Sequence, residues 1–273
     1  RSMGWPLPIV AIIATIYALF GPYFPGVLAH GGFPLEELAP FQYLRTDGIF
    51  GVPLGVSASF IFLFVLFGAI LSVTGAGQFF IDLSLALTGR SQGGPGKAAV
   101  VASGLMGTVS GSSVANAVTT GAFTIPLMKK AGYTSNFAGA VVAASSTGGQ
   151  VMPPVMGAAA FIMAQFLGIS YWDIVVAAAL PATLYFISII AMVHFRAGKR
   201  GIQSLTEETA PKVGKVLKEG WHLLLPIITL VIFLALGYSA VKAVFWSIVL
   251  MVGVSWMGKP QYRMTPKRLL DAL

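Results

Sequence analysis

The sequence predicts an all-α, polytopic membrane protein in which a re-entrant helical hairpin and a discontinuous transmembrane helix interrupt the regular spans. Of its 273 residues, 56% are hydrophobic and 10% are charged, whereas globular domains average roughly 45–50% and about 25%. Two uncharged polar segments interrupt this apolar chain, Gly107–Gly121 (GTVSGSSVANAVTTG) and Ser145–Pro154 (SSTGGQVMPP). Irregular backbone at membrane depth is tolerated only where protein or water covers it, so such segments usually mark a solute or ion pathway.

Six apolar runs have the composition of membrane segments, and they cover Trp5–Phe20, Phe50–Val73, Phe137–Leu167, Trp172–Phe195, Trp221–Leu236 and Val241–Met257. The first is expected to be a retained span, because no small-residue cleavage site follows it. Gly21–Gly48 contains four prolines and three acidic residues, which favours a loop with a short interfacial helix. Gln78–Leu87 places its apolar residues on one stripe, which favours a second interfacial helix.

The first polar segment is predicted to form the tip of the hairpin. Its flanking limbs, Ala98–Val109 and Val114–Met128, would be about 18 and 22 Å long as helices at roughly 1.5 Å per residue. Because the apolar core of a bilayer is about 30 Å thick, both limbs would stop short of the far side. The tip, Ser110–Ser113, would then lie inside the membrane.

The charge distribution agrees with a hairpin that enters and leaves on one face. With that topology, fifteen of the seventeen basic residues lie on one side, and only Arg45 and Lys242 lie opposite, as the positive-inside rule requires. The formal net charge of +8 is therefore interpreted as an orientation signal and not as nucleic-acid binding. Two short full spans would give the same sidedness, so only limb length argues against them.

The second polar segment is predicted to open a helix in mid-membrane. Pro153 and Pro154 have no amide hydrogens, and Gly148 and Gly149 relax the backbone. An opened helix offers carbonyl oxygens to a cation and amide hydrogens to an anion. Neutral side-chain oxygens accompany the two breaks, at Ser110, Ser112, Ser113, Asn116, Ser145, Ser146 and Thr147.

Sodium coupling is favoured over proton coupling, because no ionisable residue occurs in Ala98–Met128 or Phe137–Leu167. Helix packing through small residues is the alternative explanation for both segments. It would correspond to a structural membrane subunit, and a passive channel is a further alternative. Enzyme activity is not expected, because no nucleophile–base pattern, paired carboxylates or metal-ligand cluster stands out. No cofactor is expected besides Na⁺ as the coupling ion.

Three segments carry a family resemblance: Gly107–Gly121, Ile125–Tyr133 (IPLMKKAGY) and Phe137–Gly157 (FAGAVVAASSTGGQVMPPVMG). They resemble the large permease component of the tripartite ATP-independent periplasmic (TRAP) transporters, especially the fused TAXI branch, over roughly residues 5–257. The resemblance implies an elevator-type, sodium-driven secondary transporter in a bacterial or archaeal cytoplasmic (inner) membrane. It also implies a periplasmic solute-binding protein as partner and organic acids, such as dicarboxylates, keto acids and sialic acid, as substrates.

The resemblance also implies roles for individual residues. The implied sodium site comprises Ser110, Gly111, Ser112, Ser113, Asn116, Ser145, Ser146, Thr147, Gly148 and Gly149. The implied substrate site comprises Ser113, Gln150, Pro153 and Pro154, with the substrate carboxylate facing half-helix amides.

Family permeases contain two inverted repeats, and one is visible in this sequence. The chain is therefore expected to be half of an inverted-repeat elevator transporter that does not transport alone. Its expected partners are the lipid bilayer, a second repeat, and a small membrane subunit or fused equivalent. Three regions are expected: scaffold-type helices with a periplasmic loop (1–90), the transport-type hairpin and broken helix (91–170), and membrane helices with a basic cytoplasmic connector (171–273).

Overall fold

The computed structural model describes residues 5–202, 204–205, 211–256 and 264, and every regular element in this part of the chain is helical. The chain divides into two compact units, Arg1–Val56 and Ser57–Leu273. The absence of strands within the described residues agrees with the predicted all-α class.

The first unit contains three α-helices, namely α1 (Pro6–Leu19), α2 (Leu35–Leu44) and α3 (Val52–Val56), with short 3₁₀ turns at Gly21–Tyr23 and Gly26–Leu28. Pro6 stands in the first turn of α1, where its missing amide hydrogen removes no helical bond. At 14 residues α1 is shorter than the predicted span. The helix expected within the following loop is found as α2, with Glu36 and Glu37 in its first turn, where carboxylates complement the helix dipole.

The second unit contains ten α-helices within the described residues, after a π-helical turn at Ser57–Ile61. They are α4 (Phe62–Val73), α5 (Ala76–Thr88), α6 (Gly94–Ser110), α7 (Ser113–Lys130), α8 (Ser135–Gly148), α9 (Ala158–Leu167), α10 (Tyr171–Arg200), α11 (Val213–Gly220), α12 (Leu225–Ala235) and α13 (Ala240–Ser255). A buried apolar cluster joins α6, α8 and α10, and its fully buried members include Ala99, Ala138 and Val193.

Two helices among the described residues are long and apolar enough to cross a membrane, Val52–Val73 with 22 residues and Tyr171–Arg200 with 30. They confirm the spans predicted at Phe50–Val73 and Trp172–Phe195. The helices Val213–Leu223 and Leu225–Ala235 are together also long and apolar enough to cross a membrane, but the chain bends by 61° between them. The last predicted span is found as α13 with 16 residues, and its expected final residue, Met257, lies outside the described residues.

The helix expected at Gln78–Leu87 is found as α5, but its environment differs from the prediction. It packs against both α6 and α11, and a β-carbon added at Gly220 of α11 would collide with the Phe79 ring. Seven of its residues are buried: Ala76, Phe79, Phe80, Ile81, Leu83, Ser84 and Ala86. An apolar stripe fits a protein surface as well as it fits the lipid interface, so the sequence pattern alone does not distinguish the two.

The hairpin and the broken helix are both present. α6 and α7 form the two limbs, with 17 and 18 residues, or about 26 and 27 Å at 1.5 Å per residue. The limbs are longer than predicted because Pro95 stands in the first turn of α6 and α7 continues through Pro126 to Lys130. Neither limb is among the described helices that are long and apolar enough to cross a membrane. The two helices thus form a hairpin, and its re-entrant course in the membrane stays a prediction.

Candidate functional site

The hairpin tip is a tight turn in which the hydroxyls of Ser110 and Ser112 make local hydrogen bonds. Gly111 ends α6 with φ at 59°, in the left-handed region that glycine adopts without a Cβ clash. The Ser112 hydroxyl caps α7 by accepting from the Ala115 amide at 3.3 Å. The Ser110 hydroxyl donates to the Ser112 carbonyl at 3.4 Å. These contacts fix the turn between the limbs.

The break between α8 and α9 starts at Gly149, later than the predicted start at Ser145. Ser145–Gly148 form the last turn of α8, and the Gly149 amide still donates to the Ser145 carbonyl at 3.1 Å. The main-chain amide of Gln150 donates to the Thr147 carbonyl at 3.1 Å. The Ser146 carbonyl, which this amide would bond in a regular α-helix, therefore loses its helical partner. The i→i−4 ladder therefore ends at Gly149, and the next three amides donate three residues back before the chain reaches Pro153 and Pro154, which have no amide hydrogen.

The hairpin and the break are in direct main-chain contact. A β-carbon at Gly107 would collide with the Gly149 α-carbon, and one at Gly111 would collide with the Met156 carbonyl. The Val155 amide donates to the carbonyl of Thr108 in α6 at 3.3 Å. The two polar segments therefore form one site.

Asn116 is the central side chain of the site and is fully buried. Its Nδ2 donates to the Ser103 carbonyl at 2.8 Å. Because a carbonyl can only accept, this partner fixes the orientation of the amide. Three buried side-chain polar atoms in the described part of the chain have no hydrogen-bond partner, and Asn116 Oδ1 is one of them.

Two residues that the sequence analysis missed, Ser103 and Thr120, hold Asn116 in place. Both are buried, and their hydroxyl oxygens lie 3.1 Å apart. The Thr120 hydroxyl also donates to the main-chain carbonyl of Asn116 at 2.7 Å. Thr120 follows Asn116 by four residues, so the sequence spacing alone predicts that the two lie on one face of a helix. The approach of Ser103 depends on how α6 crosses α7.

Ser146 supplies the second unpaired buried side-chain oxygen of the site. The residue is 1% exposed, and its hydroxyl has no hydrogen-bond partner. A β-carbon added at Gly149 would lie 2.9 Å from Asn116 Nδ2, 2.9 Å from Gly107 Cα and 3.1 Å from the Ser146 carbonyl oxygen. Glycine at position 149 thus allows the Asn116 side chain of the hairpin to lie against the end of α8, where Ser146 is located.

Other residues of the predicted sodium site point elsewhere. The Ser145 hydroxyl donates within α8 to Val141 at 2.7 Å. The exposed Thr147 does the same to Ala143 at 2.8 Å. Hydroxyls in such positions satisfy their own helix. The structure therefore places Asn116 against the break at Gly149, beside the end of α8 that carries Ser146. The hydroxyls of Ser110, Ser112, Ser145 and Thr147 make local bonds.

The predicted substrate residues lie beside the same break. Gln150 Nε2 donates to the Ser113 hydroxyl at 3.2 Å, which links the break to the first turn of α7. Pro153 is half-buried and Pro154 is buried. α9 then begins after Gly157 without a side-chain cap, so its first-turn amides have the character of an anion site.

Comparison with known proteins identifies the family. The pattern of the tripartite ATP-independent periplasmic transporter, DctM component, matches residues 1–273. The chain belongs to this family. The DctM match agrees with the resemblance carried by the two polar segments, and it makes the chain a multi-pass membrane protein of a permease family. Membership of the fused TAXI branch stays a prediction.

Three relatives show how far the similarity to this DctM chain extends. A 2,3-diketo-L-gulonate TRAP transporter large permease protein of Escherichia coli is 27% identical over 60% of the chain and 39% of its own length. A sialic acid TRAP transporter large permease protein of Vibrio cholerae is 31% identical over 60% and 38%. An uncharacterized protein of Sinorhizobium fredii is 30% identical over 86% and 55%. The chain thus spans about half, or less, of the relatives it matches.

Proposed function

We propose that the chain provides a Na⁺ site and an adjoining carboxylate site to a sodium-coupled secondary transporter of organic acids. The observation that carries this proposal is the pair of unpaired buried oxygens, Asn116 Oδ1 and Ser146 Oγ. Leaving a buried polar atom without a partner is costly, and a bound cation would remove that cost at both atoms. The Ser146 carbonyl, which has lost its helical partner, is a third candidate ligand.

The carboxylate site adjoins the cation site along the break. The first turn of α9 offers amide hydrogens without a side-chain cap, and Gln150 and Ser113 supply polar groups next to it. An anion at this position would interact with the helix dipole and with the nearby Na⁺. Two relatives are named for sialic acid and 2,3-diketo-L-gulonate, and both names denote organic acids.

The remaining parts of the proposal concern the assembly. We infer a location in a bacterial or archaeal inner membrane, with substrate delivered by a periplasmic solute-binding protein. A second inverted repeat and a small membrane subunit, or its fused equivalent, would complete an elevator-type transporter. The family assignment supports these partners.

Sodium binding by the purified chain tests the site directly. Isothermal titration in detergent, at constant ionic strength maintained with choline chloride, should show saturable Na⁺ binding that K⁺ does not reproduce. Asn116→Ala should weaken this binding by at least tenfold. The matched control is Asn136→Ala, which removes an exposed asparagine from the first turn of α8. Wild-type chain without Na⁺ binding would contradict the proposal.

Transport measurements on the assembled permease distinguish a sodium-coupled transporter from a passive channel. In proteoliposomes that contain the chain with its partner components, organic-acid uptake should saturate and should require an inward Na⁺ gradient. Uptake that follows a proton gradient without Na⁺, or a large conductance that does not saturate, would exclude sodium symport.

A further inference from the structure

Two tyrosines of α10 contact the chain on opposite sides of the helix break. The Tyr171 hydroxyl donates to the carbonyls of Pro154 at 2.9 Å and Val155 at 2.6 Å, in the part of the break that leads into α9. The Tyr185 hydroxyl donates to the carbonyl of Ala144 at 2.8 Å, before the break. Fourteen residues separate the two tyrosines, or almost four turns at about 3.6 residues per turn, so both lie on the same face of α10.

The aromatic rings make the same two connections. The Tyr171 ring is buried and stacks on Phe161 of α9, with centroids 4.4 Å apart and an interplanar angle of 9°. The Tyr185 ring lies against the last turn of α8, where a β-carbon added at Gly148 would collide with it. α10 therefore holds α9 through Tyr171 and α8 through Tyr185.

The break needs such external support. An intact helix transmits its geometry through the hydrogen-bond ladder, but Pro153 and Pro154 have no amide hydrogen to donate. No i→i−4 bond therefore connects the two half-helices across the proline pair, and the main-chain bond that spans it runs from the Gly157 amide to the Gln150 carbonyl at 2.7 Å. α10 continues as one helix of 30 residues through Pro181, which lies between the two tyrosines, so it can set the spacing between the two half-helices.

We infer that Tyr171 and Tyr185 are positioning residues for the cation site, which they do not need to touch. By fixing α8 relative to α9, they fix where Ser146 and Gly149 stand against Asn116 in the hairpin. The inference rests on the proposed sodium site, and it assigns to α10 a role in determining sodium affinity.

Tyrosine-to-phenylalanine substitutions test this inference, because they remove only the hydroxyl and keep the ring. Tyr171→Phe and the double variant with Tyr185→Phe should raise the Na⁺ dissociation constant roughly 5- to 10-fold, the effect of about one buried hydrogen bond. Tyr185→Phe alone should have a smaller effect, since Tyr185 is 38% exposed. The dissociation constant comes from the titration used for the wild-type chain.

The matched control is Tyr133→Phe. Tyr133 is also buried and donates to a main-chain oxygen, Gly93 at 3.2 Å, but it lies at the other end of the hairpin. Burial raises the pKa of Tyr133 to about 12, so its hydroxyl remains a donor at neutral pH. This variant should lower the unfolding temperature while changing the Na⁺ dissociation constant less than twofold. Equal Na⁺ affinity in all variants, or an equal loss in Tyr133→Phe, would overturn the inference.

A second measurement makes the test independent of sodium. The chain has no cysteine, so spin labels can be placed at exposed positions of α8 and α9 by Ala140→Cys and Phe166→Cys. The label–label distance distribution should broaden with Tyr171→Phe and stay narrow with Tyr133→Phe. If the wild-type chain binds no Na⁺, this result alone decides whether the tyrosines position the break. An unchanged distribution with Tyr171→Phe would overturn the inference.

Discussion

Ser145 and Ser146 are neighbours at the end of α8, and both are buried, but their hydroxyls differ. The Ser145 hydroxyl donates to the Val141 carbonyl, whereas the Ser146 hydroxyl has no partner. Burial alone therefore does not identify a ligand. An unsatisfied oxygen is the stronger candidate for the proposed site, because a cation would supply its first partner, whereas the Ser145 hydroxyl already has one.

The two serines should respond in opposite ways to substitution by alanine. Ser145→Ala removes a buried hydrogen bond and should lower stability by about 0.5–1.5 kcal/mol, with Na⁺ affinity nearly unchanged. Ser146→Ala removes no hydrogen bond and should leave the sodium-free protein as stable as the wild type, but it should weaken Na⁺ binding about tenfold or more. Thermal unfolding and titration of both variants make the comparison. Equal losses of Na⁺ affinity would contradict this assignment.

Two glycines of the broken helix give a second contrast at the residue scale. A β-carbon at Gly149 would lie 2.9 Å from both Asn116 Nδ2 and Gly107 Cα, whereas a β-carbon at Gly139 would meet nothing within 4 Å. Gly149→Ala should therefore destabilise the chain by about 1–3 kcal/mol through overpacking. Gly139→Ala, in the interior of α8, should be neutral or stabilise it by up to about 1 kcal/mol. Unfolding temperatures measured in one detergent provide the check.

At the scale of elements, the hairpin limbs differ from the membrane spans in length and apolar composition. α6 and α7 approach the length of a span, yet they are not among the described helices that are long and apolar enough to be one. Ser103, Asn116 and Thr120 place buried polar groups along the contact between the limbs. Such groups are stable in a membrane only when they face protein.

A labelling experiment tests how deep the tip lies. Single cysteines at Ser112, in the tip, and at Ser170, in the connection before α10, can be introduced into this cysteine-free chain. A bulky, membrane-impermeant maleimide added from outside should react with the cysteine at Ser170 and leave the one at Ser112 unmodified, because the tip is expected to end within the bilayer. Equal reaction rates would indicate that α6 and α7 cross completely.

On the scale of the whole molecule, the site joins segments that are distant in sequence, since Asn116 comes from the hairpin and Ser146 from the broken helix. A cation bound between them would link α6, α7 and α8, which also pack against one another. Ion binding should therefore stabilise the fold as a whole and not only the site.

The unfolding temperature should accordingly rise with Na⁺ concentration. A ligand that binds only the native state adds about 2.7 kcal/mol at 100 times its dissociation constant. The shift should be absent in choline chloride and KCl at the same ionic strength, and it should be lost in Asn116→Ala. A shift of equal size in all three salts would reflect ionic strength and contradict a specific site.

Much of this organisation follows from sequence because it depends on local chemistry. Two successive prolines, Pro153 and Pro154, remove two amide donors from a helix interior, and the apolar run at Phe50–Val73 is long enough to form a span. The burial of α5 does not follow, because its stripe suits a lipid surface or a protein surface equally. Ser103 was missed for a related reason: a single serine in an apolar limb gains meaning only once the facing helix is known.

The close approach of Gly107 and Gly149 has a mechanical consequence. No side chain lies between the two main chains at this contact, so no change of rotamer can accommodate a shift of one segment against the other. The Val155 amide adds a bond to Thr108 beside that contact. Separating the hairpin from the break would leave this amide and the Thr108 carbonyl without partners, which is costly for buried groups. If the proposed transport function is correct, we expect the hairpin and the break to move together as one rigid body, with the hinge placed elsewhere.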